Sequence, residues 1–159
     1  MTRRLTKVFL FLLICSSQHL LAQSDVVRQQ PCINESYKPQ IDSLKQLLTS
    51  QGFALMREAS MTMESEYEMP VIVPLTQGSW YHFVFIGEPT SKLYEVRMYD
   101  WNERQVFYKK NQWGDVDGNI IDYTYSPQFT EYHMIRPVQV NKQKKKGLCG
   151  YVMMFKRVK

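Results

Sequence analysis

The chain has 159 residues with 20 basic and 15 acidic side chains, a formal net charge of +5. Three of the basic residues, Arg3, Arg4 and Lys7, fall in the first seven positions with no acid among them, and removing residues 1–23 leaves 17 basic against 15 acidic. The remainder lacks the basic surface that nucleic-acid binding demands, and at about 136 residues it is long enough for one domain with one core.

The N-terminus reads as a secretory signal. A basic start is followed by the short apolar run Val8 to Ile14, which is too short to cross a bilayer, a span of roughly 20 residues. Cleavage is expected near Ala22, giving a secreted or periplasmic protein without a transmembrane segment. Cys15 raises the alternative of a lipid anchor, but Ile14 stands where a small residue is wanted before a lipid-modified cysteine, so plain export is the preferred reading. Loss of Cys15 with the signal leaves Cys32 and Cys149, an even pair in an exported chain. A disulfide between them is expected in an oxidising compartment, with free thiols or a bond to another chain as the alternatives.

Residues 24–37 form a polar arm. From Pro39 to Gln51 the spacing of Ile41, Leu44, Leu47 and Leu48 predicts an amphipathic helix, with Pro39 in its first turn and Gly52 at its end. A lone helix ahead of strands is expected to cover the end or edge of a sheet. Eight strands are predicted after it: Phe53–Met63, Tyr67–Leu75, two within Ser79–Trp101, Arg104–Lys109, Ile120–Tyr125, Glu131–Val140 and Leu148–Val158. Pro70 and Pro74 mark the second as an edge strand or a bulged one. Tyr81, Phe83 and Phe85 alternate on one face, as do Tyr94, Val96 and Met98, so Ser79–Trp101 reads as a β-hairpin with one face in a core. Aromatic and β-branched residues dominate this half of the chain. The fold class is all-β, a jelly-roll-like sandwich of about eight strands with one N-terminal helix, spanning residues 38–159.

Three stretches carry a resemblance: Gly78 to Phe85, Leu93 to Asp100, and Ser126 to Ile135. Together, over about residues 78–136, they resemble the β-sandwich domains of the bacterial pre-peptidase C-terminal type, which are non-catalytic domains attached to secreted enzymes. The sequence departs from that pattern at Glu131, where the family has glycine before the tyrosine. The acids of the family's preceding strand have no clear counterpart, so the resemblance implies no metal site. The chain is also similar to small exported proteins of Bacteroidetes-type bacteria, which implies location and not activity.

No nucleophile–base pair, zinc motif or phosphate loop is present. His82 and His133 lie in separate predicted strands with no third ligand spaced to join them. Asp115, Asp117 and Asn119 place oxygens at alternate positions, and Asp122 could add another. That is only a fragment of the six to eight ligands calcium takes, and an Asp-Gly hairpin turn is the preferred reading. Lys142, Lys144, Lys145 and Lys146 read as a solvated hairpin tip, with contact to an acidic glycan or membrane as the alternative. Trp101 and Trp113, with Tyr99, stand beside polar turns and are the candidates for stacking on a sugar, although such rings also fill sandwich cores. The expectation is a non-enzymatic module, without cofactor, that binds or stabilises a cell-envelope protein or glycan. A carbohydrate-binding module is the alternative, and a small hydrolase is a disfavoured third.

Overall fold

Asn34 opens a short 3-10 turn, Glu35–Tyr37, by accepting the Ser36 amide. The helix α1 (Lys38–Ser50) follows, with Pro39 in its first turn, where a missing N–H costs nothing. It ends at Gly52, whose φ of +84° is a left-handed conformation that glycine adopts without strain. Eight strands come next: β1 (Phe53–Met63), β2 (Val71–Leu75), β3 (Tyr81–Ile86), β4 (Leu93–Tyr99), β5 (Gln105–Asn111), β6 (Ile120–Tyr125), β7 (Glu131–Val140) and β8 (Leu148–Arg157). This computed structural model describes residues 30–32, 34–111 and 117–158. The signal, the Cys15 question and most of the polar arm lie outside them.

The strands form two antiparallel four-stranded sheets, ordered β1-β8-β3-β6 and β2-β7-β4-β5. That is the order of a jelly roll, as the sequence predicts. β2 is an edge strand, and its Pro74 sits opposite Tyr132 without disturbing a second neighbour.

The expected hairpin over Ser79–Trp101 is overturned. β3 pairs with β6 and β8, and β4 pairs with β5 and β7 in the other sheet. Tyr81, Phe83 and Phe85 therefore face Tyr94, Val96 and Met98 across the core instead of lying beside them. The segment between the strands is held as a crossing by the phenol of Tyr94, which donates to the Glu88 carbonyl at 2.6 Å and the Ser91 carbonyl at 2.9 Å. Gly87 is required here because a Cβ would overlap the Tyr94 ring. Two other expected hairpins are also crossings, since β5 and β6 lie in different sheets, as do β7 and β8. Of the consecutive strands only β4 and β5 pair, through the turn at residues 100–104.

The inner faces meet in a core that includes Met61, Leu75, Phe85, Met98, Ile121 and Leu148. One side of the sandwich is closed by rings: Phe107 of β5 stacks on Tyr123 of β6 at 3.7 Å, and Tyr123 in turn lies 5.2 Å from Phe83. The helix covers the outer face of the first sheet, not the end or edge expected. Leu48 and Tyr37 join Val84, Ile86, Met153 and Phe155 there in a second apolar cluster, with Ile41 and Leu44 packed against it, while Leu47 stays exposed. This explains why β3 is buried on both faces. Cys32 and Cys149 form the expected disulfide, with Cα atoms 5.6 Å apart, and Tyr37 donates to the Cys149 carbonyl at 3.1 Å.

Burial of tyrosines gives an alkaline limit to stability. Burial first and Glu88 second push Tyr94 up to about 12, and Tyr37, Tyr123 and Tyr151 are also raised, with burial the first cause in each. A folded value above the unfolded value of 10.0 means that stability is complete below pH 10 and falls as pH rises through the folded value. In an ultraviolet titration, the buried phenols should ionise only as the chain unfolds. Simultaneous ionisation of all ten tyrosines with the fold intact would contradict this burial.

Candidate functional site

Residues on the outer face of the second sheet point away from the core and have no helix over them. Tyr99 ends β4 on this face, and Trp101 follows it in the turn to β5. Asp100 holds that turn. Its carboxylate accepts the amides of Asn102 and Arg104, each at 2.9 Å, and the Nε and Nη2 of Arg104, each at 2.8 Å. Burial works against the Asp100 charge, but the Arg104 and Asn102 hydrogen bonds outweigh it and keep the carboxyl below the ordinary range. The Asp100 amide donates to the Arg104 carbonyl, and the Glu103 amide to the Asp100 carbonyl. These bonds fix Glu103 at a φ of +59°, a left-handed conformation that a non-glycine residue keeps only when its surroundings enforce it. The result is a rigid turn with Trp101, 67 % exposed, at its apex.

Trp101 meets Tyr132 of β7, which is 53 % exposed, with ring centroids 6.0 Å apart and planes inclined at 49°. The two rings form the open wall of a cleft of about 320 Å³, whose lining includes Tyr99, Met134, Arg136 and Ile72. The Arg136 guanidinium lies 4.6 Å over the Tyr99 ring, is bonded to Glu68 and donates from Nε to the sulfur of Met134. Glu68 also pairs with Arg97, which pairs with Glu95, so the guanidinium charges on this face are neutralised by carboxylates.

A second cleft, of about 360 Å³, lies on the other side of the same turn, at the end of the sandwich. Asp100 lines both clefts. Gln105, Ser126, Gln128 and Phe129 belong to the second one. Phe129 is 57 % exposed. Its loop is tied to the loop before β3, because the Gly78 amide donates to the Pro127 carbonyl and the Gln77 amide to Thr130 Oγ1. Trp80, also exposed, stands at the base of that neighbouring loop.

Tyr99 and Trp101 line the same cleft. Trp113 and Asp115 lie outside the described residues. Tyr132, Arg136 and Phe129 escaped sequence reading, because Tyr132 and Arg136 alternate within an ordinary strand and Phe129 follows a turn. A position exposed on the sheet face without charge, such as Tyr132, is the only signal that could have marked them.

The other candidates go elsewhere. Asn119 turns inward, accepting from Gln40 at 3.0 Å and donating to the Gly87 carbonyl at 2.9 Å, so its carboxamide is engaged in packing. Asp122 pairs with His82 at 3.3 Å and with Lys109, and the His82 bond is the first cause holding its carboxyl below the usual range. Asp117 is exposed. Among the described residues no three potential metal ligands gather. His133 is buried in the core, with Nε2 3.2 Å from the Tyr125 hydroxyl. The lysine turn is exposed as expected and also carries surface ion pairs, Lys144 with Glu88, Lys145 with Glu66 and Lys146 with Glu64. Among the described residues no helix is long and apolar enough to cross a membrane, and the disulfide is compatible with an extracellular location.

No family model matches the chain, and no curated protein matches it. Among solved structures it is similar to one described as CBM4, at 14% identity and a TM-score of 0.36, covering 65% of this chain and 74% of that one. It is similar to a glycosylation-associated protein complex (Gap123) from Streptococcus agalactiae, at 11% identity and a TM-score of 0.34, covering 66% and 39%. A third is the arabinose-bound α-L-arabinofuranosidase MgGH51, at 9% identity and a TM-score of 0.35, covering 66% and 23%. At these values the likenesses say nothing of what this chain binds.

Proposed function

We infer that the protein is a secreted or periplasmic, non-enzymatic binding module, and that the cleft beside Trp101 takes a neutral carbohydrate at the cell envelope. The observation that carries this reading is the inclined, exposed pair of Trp101 and Tyr132 on a turn made rigid by Asp100. Pyranose rings have apolar C–H faces, and fixed aromatic side chains bind such faces at little ordering cost. The charge nearby is mainly acidic: each cleft lining has two carboxylates and one guanidinium, Asp100, Glu103 and Arg136 in one and Asp100, Glu131 and Arg104 in the other. A polyanion would meet net repulsion there. The non-enzymatic part rests on the sequence resemblance and on His133, whose imidazole is turned into the core. Exposed Ile72 at the cleft margin favours a second reading, a cell-envelope protein partner.

Affinity electrophoresis through gels containing soluble neutral β-glucan, xylan or mannan, with pectate as the acidic control, tests this. At least one neutral polymer should retard the protein and pectate should not. Trp101→Ala should weaken retardation about 30-fold, the size expected for loss of a central aromatic anchor. Unchanged mobility in every gel removes the carbohydrate reading and leaves the protein partner.

A further inference from the structure

Resting on that reading, we propose that the ligand is a glycan chain bound along its length, with a second sugar subsite in the cleft beyond the Trp101 turn, where Phe129 is the platform. The two clefts are not separate features. They share Asp100, whose four accepted hydrogen bonds saturate its carboxylate, so it serves as a fixed partition and not as a ligand group. A chain lying over this partition meets Trp101 and Tyr132 on one side and Phe129 on the other.

The second cleft is more polar than the first and also carries an exposed ring. It offers one exposed ring, the carboxamides of Gln105 and Gln128, the Ser126 hydroxyl, and Arg104. Arg104 gives its Nε and Nη2 to Asp100, and among the described residues nothing holds its Nη1, so it has a donor left for a sugar hydroxyl. Carboxamides and a hydroxyl both donate and accept, matching hydroxyls in either orientation. At about 320 and 360 Å³ each cleft lies at the small end of ligand sites, roughly 300 Å³ upward, which suits one or two rings per cleft and not a whole oligosaccharide. Both clefts are open, and the loop carrying Phe129 leads on toward exposed Trp80.

The test is calorimetry with a size ladder, disaccharide to hexasaccharide, cut from whichever neutral polymer retards the protein. Wild-type affinity should rise at least about tenfold from two rings to five as the second cleft fills. Phe129→Ala should flatten that rise while leaving the disaccharide within about twofold of wild type, and Gln128→Ala should reduce the rise in the same direction. Trp101→Ala should weaken every length. Phe129 and Gln128 are exposed, so these variants keep the fold, and the circular dichroism spectrum checks it. Affinity that stops rising at the disaccharide, or a Phe129→Ala protein equal to wild type at every length, overturns the second subsite while the Trp101 site stands. A protein bound by none of the polymers overturns both.

Discussion

Replacing Cys32 with serine will lower the stability of the folded protein by about 4–5 kcal/mol, the chain-entropy figure for a loop of this size. The bond joins residues 117 apart in sequence. It ties the arm to β8 just ahead of the helix, and the Tyr37 hydroxyl meets the Cys149 carbonyl in the same place. Strain and residual structure in the unfolded chain reduce the figure, so it is an upper one. Urea unfolding of wild type and Cys32→Ser measures it, and the strand signal of the folded fraction should be unchanged. Thiol counting on the unfolded, unreduced mature protein provides the control: two reactive thiols would rule out the bond.

The second large effect is expected at Gln139, which is wholly buried on β7. Its Oε1 accepts from the Glu88 amide at 2.8 Å and from Ser91 Oγ at 3.2 Å, and its Nε2 donates to the Cys149 carbonyl at 3.0 Å. One side chain thus connects the crossing between β3 and β4 to the strand that carries the disulfide. Gln139→Leu keeps the volume but leaves the Glu88 amide and Ser91 hydroxyl without this acceptor. Each unsatisfied buried group costs about 1–3 kcal/mol, so a loss of about 3 kcal/mol is expected. A midpoint shift in urea corresponding to less than about 1 kcal/mol would mean that water replaces the carboxamide.

The alternation in the sequence carries the strand positions well. Phe53–Met63, Ile120–Tyr125 and Glu131–Val140 coincide with β1, β6 and β7. It does not carry partnership. A period of two says which side of a strand faces a core, and Tyr81, Phe83 and Phe85 would show the same pattern beside β4 or opposite it. What decides is the crossing, where Gly87, Tyr94 and Gln139 lock together, and Gln139 is remote in sequence. The helix is misplaced for a related reason: its apolar stripe shows that something is covered, while Val84 and Ile86 on the second face of β3 show what. At the site, Tyr99 and Trp101 are legible because large rings beside a polar turn are unusual. Tyr132 becomes a neighbour of Trp101 only through the β4–β7 pairing, and Phe129 reaches the second cleft through the loop that precedes β7. The lysine turn is exposed as read, but its ion pairs are not legible, since Glu64, Glu66 and Glu88 lie far upstream.

The strand order also sets the sequence of events by which the molecule is made. β1 pairs only with β8, and β8 stands between β1 and β3 in the first sheet. Until residues 148–157 have left the ribosome, β1 has no strand partner among the described residues, the outer-face cluster under the helix lacks Met153 and Phe155, and Cys32 lacks Cys149. Contacts this distant along the chain close slowly, on the scale of milliseconds to seconds. A nascent chain of this design can pair β4 with β5 well before its end, but its first sheet stays incomplete until the last strand is made.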